Sequence, residues 1–274
     1  MNVLIQILKV IILIMVLILF LFYILQRHLI YFPSKVIPNP NDFAAQDLRI
    51  LSLHTKDGLA LNAWYKPALA HHPTVLFLHG NAGTIGYRMP LVRQFINEGF
   101  GVLLFDYRGY GGNKGNPTEQ GLYEDGNAAI NFLTQQGIQS SQLILYGESL
   151  GTGVATQLAV QHPACALILQ SPFTSLTHLA HYHYPWLLFN PWDKYDSLSR
   201  IKNIKTPILI LHGTADSIVP YEEGVTLFNA ALQPKEIHRF EGYGHNNLWD
   251  AQGFYSFVSQ FIHQYCVPLS TANH

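Results

Sequence analysis

Short, almost uncharged β-rich runs alternate with helical stretches along most of this chain, and this alternation restricts its fold more than any other feature. Runs that are apolar at every position predict strands covered on both faces, as in a parallel sheet. Strand–helix alternation at this spacing predicts βαβ crossovers and a doubly wound, mostly parallel α/β sheet. The predicted strands are Leu48–His54, Leu59–Tyr65, Thr74–Leu78, Gly101–Asp106, Gln142–Tyr146, Ala166–Gln170, Pro207–Leu211 and Glu236–Glu241. The first two are separated by a Thr-Lys-Asp-Gly segment, which predicts a hairpin.

A serine stands in a G-x-S-x-G pattern directly after one of these predicted strands. The pattern is Gly147-Glu148-Ser149-Leu150-Gly151, and an apolar helical stretch follows it at once. In a doubly wound sheet, functional residues collect at the carboxyl ends of the strands. Glycines on both sides of a serine permit a sharp strand-to-helix turn that exposes the hydroxyl group. The pattern predicts that Ser149 is a catalytic nucleophile.

A serine hydroxyl needs a base, and the base needs an acid to orient it. The best base is His245, which follows two glycines in Gly242–Asn246, between the last predicted strand and the closing helix. The best acid is Asp216, which follows the strand that ends at Leu211. The resulting chain order, Ser then Asp then His, is the order expected of an α/β sheet with a serine elbow. The alternatives Asp193 and Asp196 lie in an insertion, and Asp196 is better explained as a helix N-cap.

Acyl transfer also requires hydrogen-bond donors for the oxyanion that forms. The candidates are the backbone N–H groups of Asn81, in the loop His79-Gly80-Asn81-Ala82-Gly83, and of Leu150, next to the serine. A phosphate-binding loop is the alternative reading of this glycine-containing segment. It is disfavoured because the segment lacks both the G-x-G-x-x-G spacing and the lysine of a P-loop.

The amino-terminal segment Val3–Leu25 is apolar apart from Lys9 and a glutamine. As a helix it rises about 34 Å, enough to cross a hydrocarbon core of about 30 Å. A cleaved signal peptide is disfavoured, because no small-residue cleavage site follows. We therefore expect residues 1–30 to be a single-pass anchor and residues 31–274 to form one domain after a Pro-rich linker. Lys9 favours a catalytic domain on the non-cytoplasmic side, whereas Arg27 and Lys35 oppose it.

Taken together, these motifs resemble the α/β-hydrolase superfamily in order and spacing. The anchor, the segment RHLIYFPSK and the motif FDYRGYG at Phe105–Gly111 resemble its single-pass, signal-anchored ABHD-type branch, often labelled serine aminopeptidase-like. The resemblance covers residues 28–266. It implies an α/β-hydrolase fold with an eight-stranded sheet, and it implies the same roles for the serine, aspartate and histidine and for the two oxyanion donors. It also implies hydrolysis of esters or thioesters, and structural roles for Asp106 and Arg108.

The insertion at about residues 171–206 is too short for a large cap and rich in aromatic residues. It is either a packed cover over the core or an apolar lid over an acyl-binding pocket. The second reading predicts five lining residues: Tyr182, Tyr184, Trp186, Phe189 and Trp192.

Composition excludes several other classes of protein. Sixteen basic and seventeen acidic residues give a formal charge of -1, which disfavours nucleic-acid binding. Two cysteines are too few for a disulfide framework or a thiolate metal site, and we expect neither a metal nor another cofactor. Charged residues make up 12% of the chain, against roughly 25% in typical proteins, in keeping with strands buried on both faces.

The sequence thus predicts a membrane-anchored serine hydrolase acting on a small-molecule or lipid-like acyl ester or thioester. Two alternatives stay open. One is an aminopeptidase-type amide hydrolase, for which Glu148 is the only obvious acidic anchor for a substrate amine. The other is a non-catalytic, membrane-anchored binding protein on a hydrolase scaffold. The sequence does not indicate an oligomeric state.

Overall fold

A computed structural model describes residues 2–267 of the chain. Its helices and strands are, in chain order, α1 (Asn2–Ile30), β1 (Phe32–Pro33), β2 (Arg49–His54), β3 (Ala60–Lys66), β4 (Thr74–Leu78), β5 (Ala82–Gly83), α2 (Met89–Asn97), β6 (Gly101–Phe105), α3 (Glu119–Gln135), β7 (Leu143–Glu148), α4 (Leu150–Gln161), β8 (Ala166–Gln170), α5 (Leu176–His183), α6 (Ser197–Ile201), β9 (Ile208–Gly213), α7 (Tyr221–Ala230), β10 (Lys235–Phe240) and α8 (Phe254–Cys266).

The main sheet contains eight strands in the order β10-β9-β8-β7-β4-β6-β3-β2. The strands from β10 to β6 run parallel, whereas β3 pairs antiparallel with β6 and with β2. The antiparallel β2–β3 pair is the hairpin that the sequence predicts. The predicted mostly parallel, doubly wound α/β architecture is therefore confirmed.

The sheet separates two apolar layers, and alternate residues of a strand enter each layer. In β4, Leu76 and Leu78 pack in one layer, while Val75 and Phe77 pack in the other. Helices α3 and α4 contact one face, and α2 and α8 cover the other. A charge on such a strand would be buried without water on either side, at a cost of several kcal/mol. This burial explains why the central strands carry almost no charge.

The carboxyl-terminal part departs in one place from the predicted elements. The closing helix that the sequence predicts after the loop Gly242–Asn246 does not begin there: a single 3-10 turn at Leu248–Asp250 precedes α8. Gly253 has a φ of +80°, a left-handed conformation that separates the two helical pieces. In the insertion, Asp196 caps α6 as expected, because its carboxylate accepts the Ser199 N–H at 3.1 Å.

Helix α1 continues beyond the predicted apolar segment and reaches the domain. Its side chains are almost all exposed from Val3 to Leu25. The chain then enters the domain through Tyr31, whose hydroxyl lies 2.9 Å from the hydroxyl of Tyr195. The next two residues form β1, which pairs in parallel with β5 through Phe32–Ala82 and Pro33–Gly83. The predicted linker is thus packed against the loop that follows β4.

The two cysteines are joined in one disulfide, between Cys165 before β8 and Cys266 at the end of α8. Both are buried in the layer beneath α8. The bond links positions 101 residues apart and fastens the last helix to the centre of the sheet.

We expect the folded, non-reduced protein to bind no thiol-alkylating reagent and to bind two equivalents after reduction and unfolding. Changing Cys165→Ala and Cys266→Ala together should lower the free energy of unfolding by about 2–4 kcal/mol, because the unfolded chain loses a long-range cross-link. Alkylation mass spectrometry and thermal unfolding in detergent measure the two effects. Reductant should destabilise the wild type and leave the double variant unchanged. Two free thiols in the non-reduced folded protein would contradict the disulfide.

Candidate active site

Ser149 occupies a sharp turn between β7 and α4, at the carboxyl edge of the sheet. Its φ of +49° and ψ of −116° are unusual for a residue with a side chain and cost about 1–3 kcal/mol. The start of α4 also lies against the end of the neighbouring strand β4: a Cβ atom on Gly151 would lie 2.0 Å from the Leu78 carbonyl oxygen. Any side chain at position 151 would therefore collide with the backbone, which explains the second glycine of the motif. The turn places the Ser149 side chain beyond the end of β7.

His245 and Asp216 lie beside this serine in a hydrogen-bonded line. The His245 Nε2 atom is 2.9 Å from Ser149 Oγ, and its Nδ1 atom is 2.7 Å from Asp216 Oδ2. The two loops can meet because Gly213 lacks a side chain: a Cβ there would lie 2.2 Å from the Tyr243 carbonyl oxygen. The structure thus brings together the three residues that the sequence selected as catalytic candidates.

The Asp216 carboxylate is held in its charged form. Its Oδ1 atom accepts the backbone N–H groups of Ile218 and Val219 at 3.0 and 2.8 Å. Burial alone would raise the pKa of Asp216, but the neighbouring His212 and His245 imidazoles outweigh it and hold this pKa well below its usual range. At neutral pH the carboxylate can therefore accept the Nδ1–H of His245 and orient its ring.

The loop after β4 brings Asn81 to the same site. Asn81 and Leu150 both line the cavity around Ser149. Neither backbone N–H has a hydrogen-bond acceptor within residues 2–267. The Asn81 side chain instead bonds to the backbone where α1 joins the domain. Its Oδ1 accepts the Phe32 N–H at 3.2 Å, and its Nδ2 donates to the Ile30 carbonyl. The sequence did not indicate this second role for Asn81.

Buried polar groups hold the loop that carries Asn81 in place through hydrogen bonds. The Nδ1 atom of His79 is 2.7 Å from the Gly80 carbonyl oxygen, to which it donates. Burial, with the nearby positive charge of Arg88, lowers the pKa of His79 to about 3, so the imidazole is neutral at pH 7. Asp106 accepts the Ile85 N–H at 3.1 Å, and burial raises its pKa to about 7. These contacts fit the expectation that Asp106 braces the loop.

Glu148, which precedes the serine, is paired with Arg88. The carboxylate accepts Arg88 Nε at 2.9 Å and Nη2 at 3.0 Å, in a two-point ion pair. Arg88 also donates to the backbone carbonyls of Ala82 and Thr84. This arginine therefore joins the serine elbow to the loop that carries Asn81. Sequence reasoning missed it, because no motif surrounds Arg88 and its partners are distant in the chain.

A cavity of about 440 Å³ contains Ser149 and His245 in its lining. Most of its apolar lining residues come from two segments, the end of helix α1 with the adjoining linker and the inner face of the lid. The linker side contributes Leu29, Ile30 and Phe32, and the lid contributes Phe173, Leu176, Leu179, Ala180, Tyr184 and Pro191. Such a cavity can accept an apolar chain next to the serine.

Only Tyr184 of the five predicted lining residues borders this cavity. Tyr182 is largely exposed, and Trp186, Phe189 and Trp192 stack against helix α1 instead. Aromatic composition alone did not show which side of the lid faces the serine. The helical spacing of Leu176, Leu179, Ala180 and His183 on α5, all of which line the cavity, is the pattern that could have identified the inner face.

Known proteins resemble this chain over most of its length. Residues 70–192 match the Hydrolase_4 family, described as serine aminopeptidase, S33. An uncharacterised protein of Mycobacterium tuberculosis is 41% identical, with 86% of this chain and 87% of that protein covered. Protein bem46 of Schizosaccharomyces pombe is 31% identical, with 86% and 85% covered. The lysophosphatidylserine lipase ABHD12 of Danio rerio is 33% identical, but the match covers 73% of this chain and 60% of that protein.

Solved structures share the fold. An esterase of Pyrococcus furiosus superposes with a TM-score of 0.72 at 20% identity, over 86% of this chain and 98% of its own. An acetyl xylan esterase from Paenibacillus gives a TM-score of 0.67 at 20% identity, with 82% and 86% covered. At this level of identity the likeness establishes the α/β-hydrolase fold.

We expect Arg88→Met to lower the free energy of unfolding by about 3 kcal/mol, because Glu148 would remain in a largely buried position without its counter-charge. For a domain of this size, this corresponds to a fall of about 6–12 °C in the unfolding midpoint. Thermal denaturation in detergent measures it. The matched control Arg88→Met/Glu148→Gln removes both charges and should recover part of the loss. Equal stability of the single variant and the wild type would show that the ion pair is unimportant.

Proposed function

Because the chain belongs to the α/β-hydrolase superfamily, in the ABHD-type branch of bem46 and ABHD12, we propose that it is a membrane-anchored serine hydrolase of carboxylic esters or thioesters with an apolar acyl group. The observation that carries this proposal is the hydrogen-bonded line from Ser149 through His245 to Asp216, in the wall of a largely apolar cavity. A binding protein on the same scaffold has no need of all three side chains in this arrangement.

In the proposed reaction, Ser149 Oγ attacks the acyl carbonyl carbon while His245 Nε2 removes its proton. His245 then passes this proton to the leaving alcohol or thiol as the bond to the acyl carbon breaks. Water then attacks the carbonyl carbon of the acyl-enzyme while His245 Nε2 takes its proton. His245 returns this proton to Ser149 Oγ as the bond between Oγ and the acyl carbon breaks, which releases the acid and restores the serine hydroxyl. Asp216 keeps the imidazole oriented and stabilises its positive charge during both steps.

The oxyanion formed in each step would be bound by the backbone N–H groups of Asn81 and Leu150. Both groups are available, as neither has an acceptor within the described residues. A donor of this kind commonly contributes about 10²–10³ in rate. The Arg88–Glu148 pair would keep the two loops that carry them at a constant separation.

The aminopeptidase alternative receives less support from the site. Glu148 is the only acidic side chain among the described residues that line the cavity, and both of its oxygens are bound to Arg88. A protonated substrate amine would therefore find no unpaired carboxylate there. An apolar acyl group, by contrast, finds an apolar wall. The relative named as a lysophosphatidylserine lipase also favours a lipid-like acyl substrate.

Anchoring by α1 belongs to the same proposal. Among the described residues, this is the one helix long and apolar enough to cross a membrane. A disulfide typically persists in an oxidising compartment, and Lys9 lies near the amino-terminal end. Both observations favour a catalytic domain on the non-cytoplasmic side.

A fluorophosphonate probe should label the full-length protein, and Ser149→Ala should abolish the labelling, because the probe reacts with an activated serine hydroxyl. The control Ser52→Ala removes an exposed hydroxyl on β2 and should leave the labelling unchanged. Labelling is read by in-gel fluorescence in detergent. Equal labelling of the Ser149→Ala variant and the wild type would refute the proposed nucleophile.

Ala180→Trp should reduce kcat/KM for long-chain acyl esters at least tenfold and leave acetyl esters within about twofold, because the indole would fill part of the cavity. The matched control Tyr182→Trp introduces the same ring on the same helix, at an exposed position outside the cavity. A series of esters with increasing acyl length measures the effect. Uniform rates across the series in the wild type would contradict an apolar acyl site.

A further inference from the structure

The outer surface of the lid carries large apolar side chains that the catalytic cavity does not use. Tyr182, Trp186, Leu188 and Trp192 form this surface, which is called here the aromatic rim. Leu188 is 82% exposed, Tyr182 is 59% exposed and Trp186 is 50% exposed. None of the four lines the cavity around Ser149. Exposure of several large apolar groups in one short segment is unfavourable in water and commonly marks an interaction surface.

The rim is attached to the last turns of the apolar helix. Ring centroids of Phe22 and Trp186 are 5.6 Å apart, and those of Tyr23 and Trp192 are 5.2 Å apart, both edge-to-face. The Arg27 guanidinium lies over the Trp192 ring at 5.3 Å and donates to the Asp193 carboxylate at 3.0 Å. These contacts keep the rim beside residues 22–27 of α1.

That level corresponds to the lipid headgroups when α1 crosses a bilayer. About twenty residues, from Val3 to Phe22, rise about 30 Å, the thickness of a typical hydrocarbon core. Phe22 and Tyr23 would then lie at the membrane boundary, and Arg27 just outside it. Tyrosine and tryptophan favour this boundary, where the ring is apolar and its polar atom reaches water.

The catalytic cavity lies close to the same level. Leu29 and Ile30 line it, and Leu29 lies about 10 Å beyond Phe22 along the helix axis. An acyl ester bond in a membrane lipid lies near the headgroups. Its acyl chain could therefore reach Ser149 after a short displacement, along a path bordered by α1 on one side and the lid on the other.

We propose that the aromatic rim docks on the surface of the bilayer in which α1 is anchored, so that lipid acyl substrates pass from the membrane into the cavity without crossing bulk water. We infer a lipid surface as the partner because Trp186 and Trp192 contact Phe22 and Tyr23, which lie at the membrane boundary of α1. This inference rests on the proposed function, since it assumes that α1 spans the membrane and that Ser149 is the nucleophile.

Tryptophan fluorescence of the full chain in phosphatidylcholine vesicles tests the docking without requiring activity. Phospholipids brominated in their acyl chains should quench the wild-type emission. Trp186→Phe/Trp192→Phe should lose most of this quenching, because Trp64, on β3, and Trp249 both pack in the apolar layer that α2 and α8 cover, not in the lid. Equal fractional quenching of the two proteins would overturn the proposal, as would a rim protected from quencher by a second copy of the chain.

Kinetics test the consequence for substrate entry. Trp186→Ser/Leu188→Ser should lower hydrolysis of a long-chain ester embedded in vesicles at least tenfold and leave a soluble short-chain ester within about twofold. The matched control Ile50→Ser/Leu69→Ser removes two exposed apolar groups elsewhere on the domain and should change neither rate. Unchanged hydrolysis of the embedded ester would overturn the inference alone. If the wild type fails to hydrolyse even the soluble ester in a Ser149-dependent way, the proposed function fails, and the quenching result still decides whether the rim contacts lipid.

Discussion

Burial of the parallel strands on both faces is the constraint on which the rest of the structure depends. The strands β4, β7 and β9 have no surface on which a polar side chain could reach water, so chemistry is confined to their carboxyl ends. Ser149 follows β7, Asp216 follows β9 and Asn81 follows β4. Since these strands are neighbours or near neighbours in the sheet, residues separated by many positions in the chain lie within one site.

Close backbone approach brings these loop ends into contact. At Gly151 and Gly213, a side chain would collide with a carbonyl oxygen of another segment, so glycine is required for the serine elbow and for the approach of the histidine loop. The Arg88–Glu148 ion pair then joins the elbow to the loop of Asn81. Close packing of these loops thus places His245 Nε2 at 2.9 Å from Ser149 Oγ and His245 Nδ1 at 2.7 Å from Asp216 Oδ2.

The amino-terminal helix and the hydrolase fold are less separate than the sequence indicates. The Pro-rich segment after α1 has the composition of a linker, yet Phe32 and Pro33 pair with the loop beside the serine, and Asn81 bonds to the backbone on both sides of Tyr31. Through Leu29 and Ile30 the helix also forms part of the cavity wall. These contacts join segments about 50 residues apart in the chain, so they cannot be predicted from the composition of either segment.

By itself, the sequence determined the α/β architecture and the apolar helix, and it selected Ser149, Asp216 and His245 as the candidate catalytic residues. Each of these leaves a local signature in periodicity, length, glycine spacing or chain order. Only the tertiary structure decided which side of the lid faces the cavity, which residue Arg88 pairs with and how α1 contacts the candidate active site. The physical reason is that these features depend on contacts between distant segments. Trp186 and Leu179 are both apolar, but Trp186 packs against α1 whereas Leu179 lines the cavity. This difference arises only from the segments that pack beside each residue.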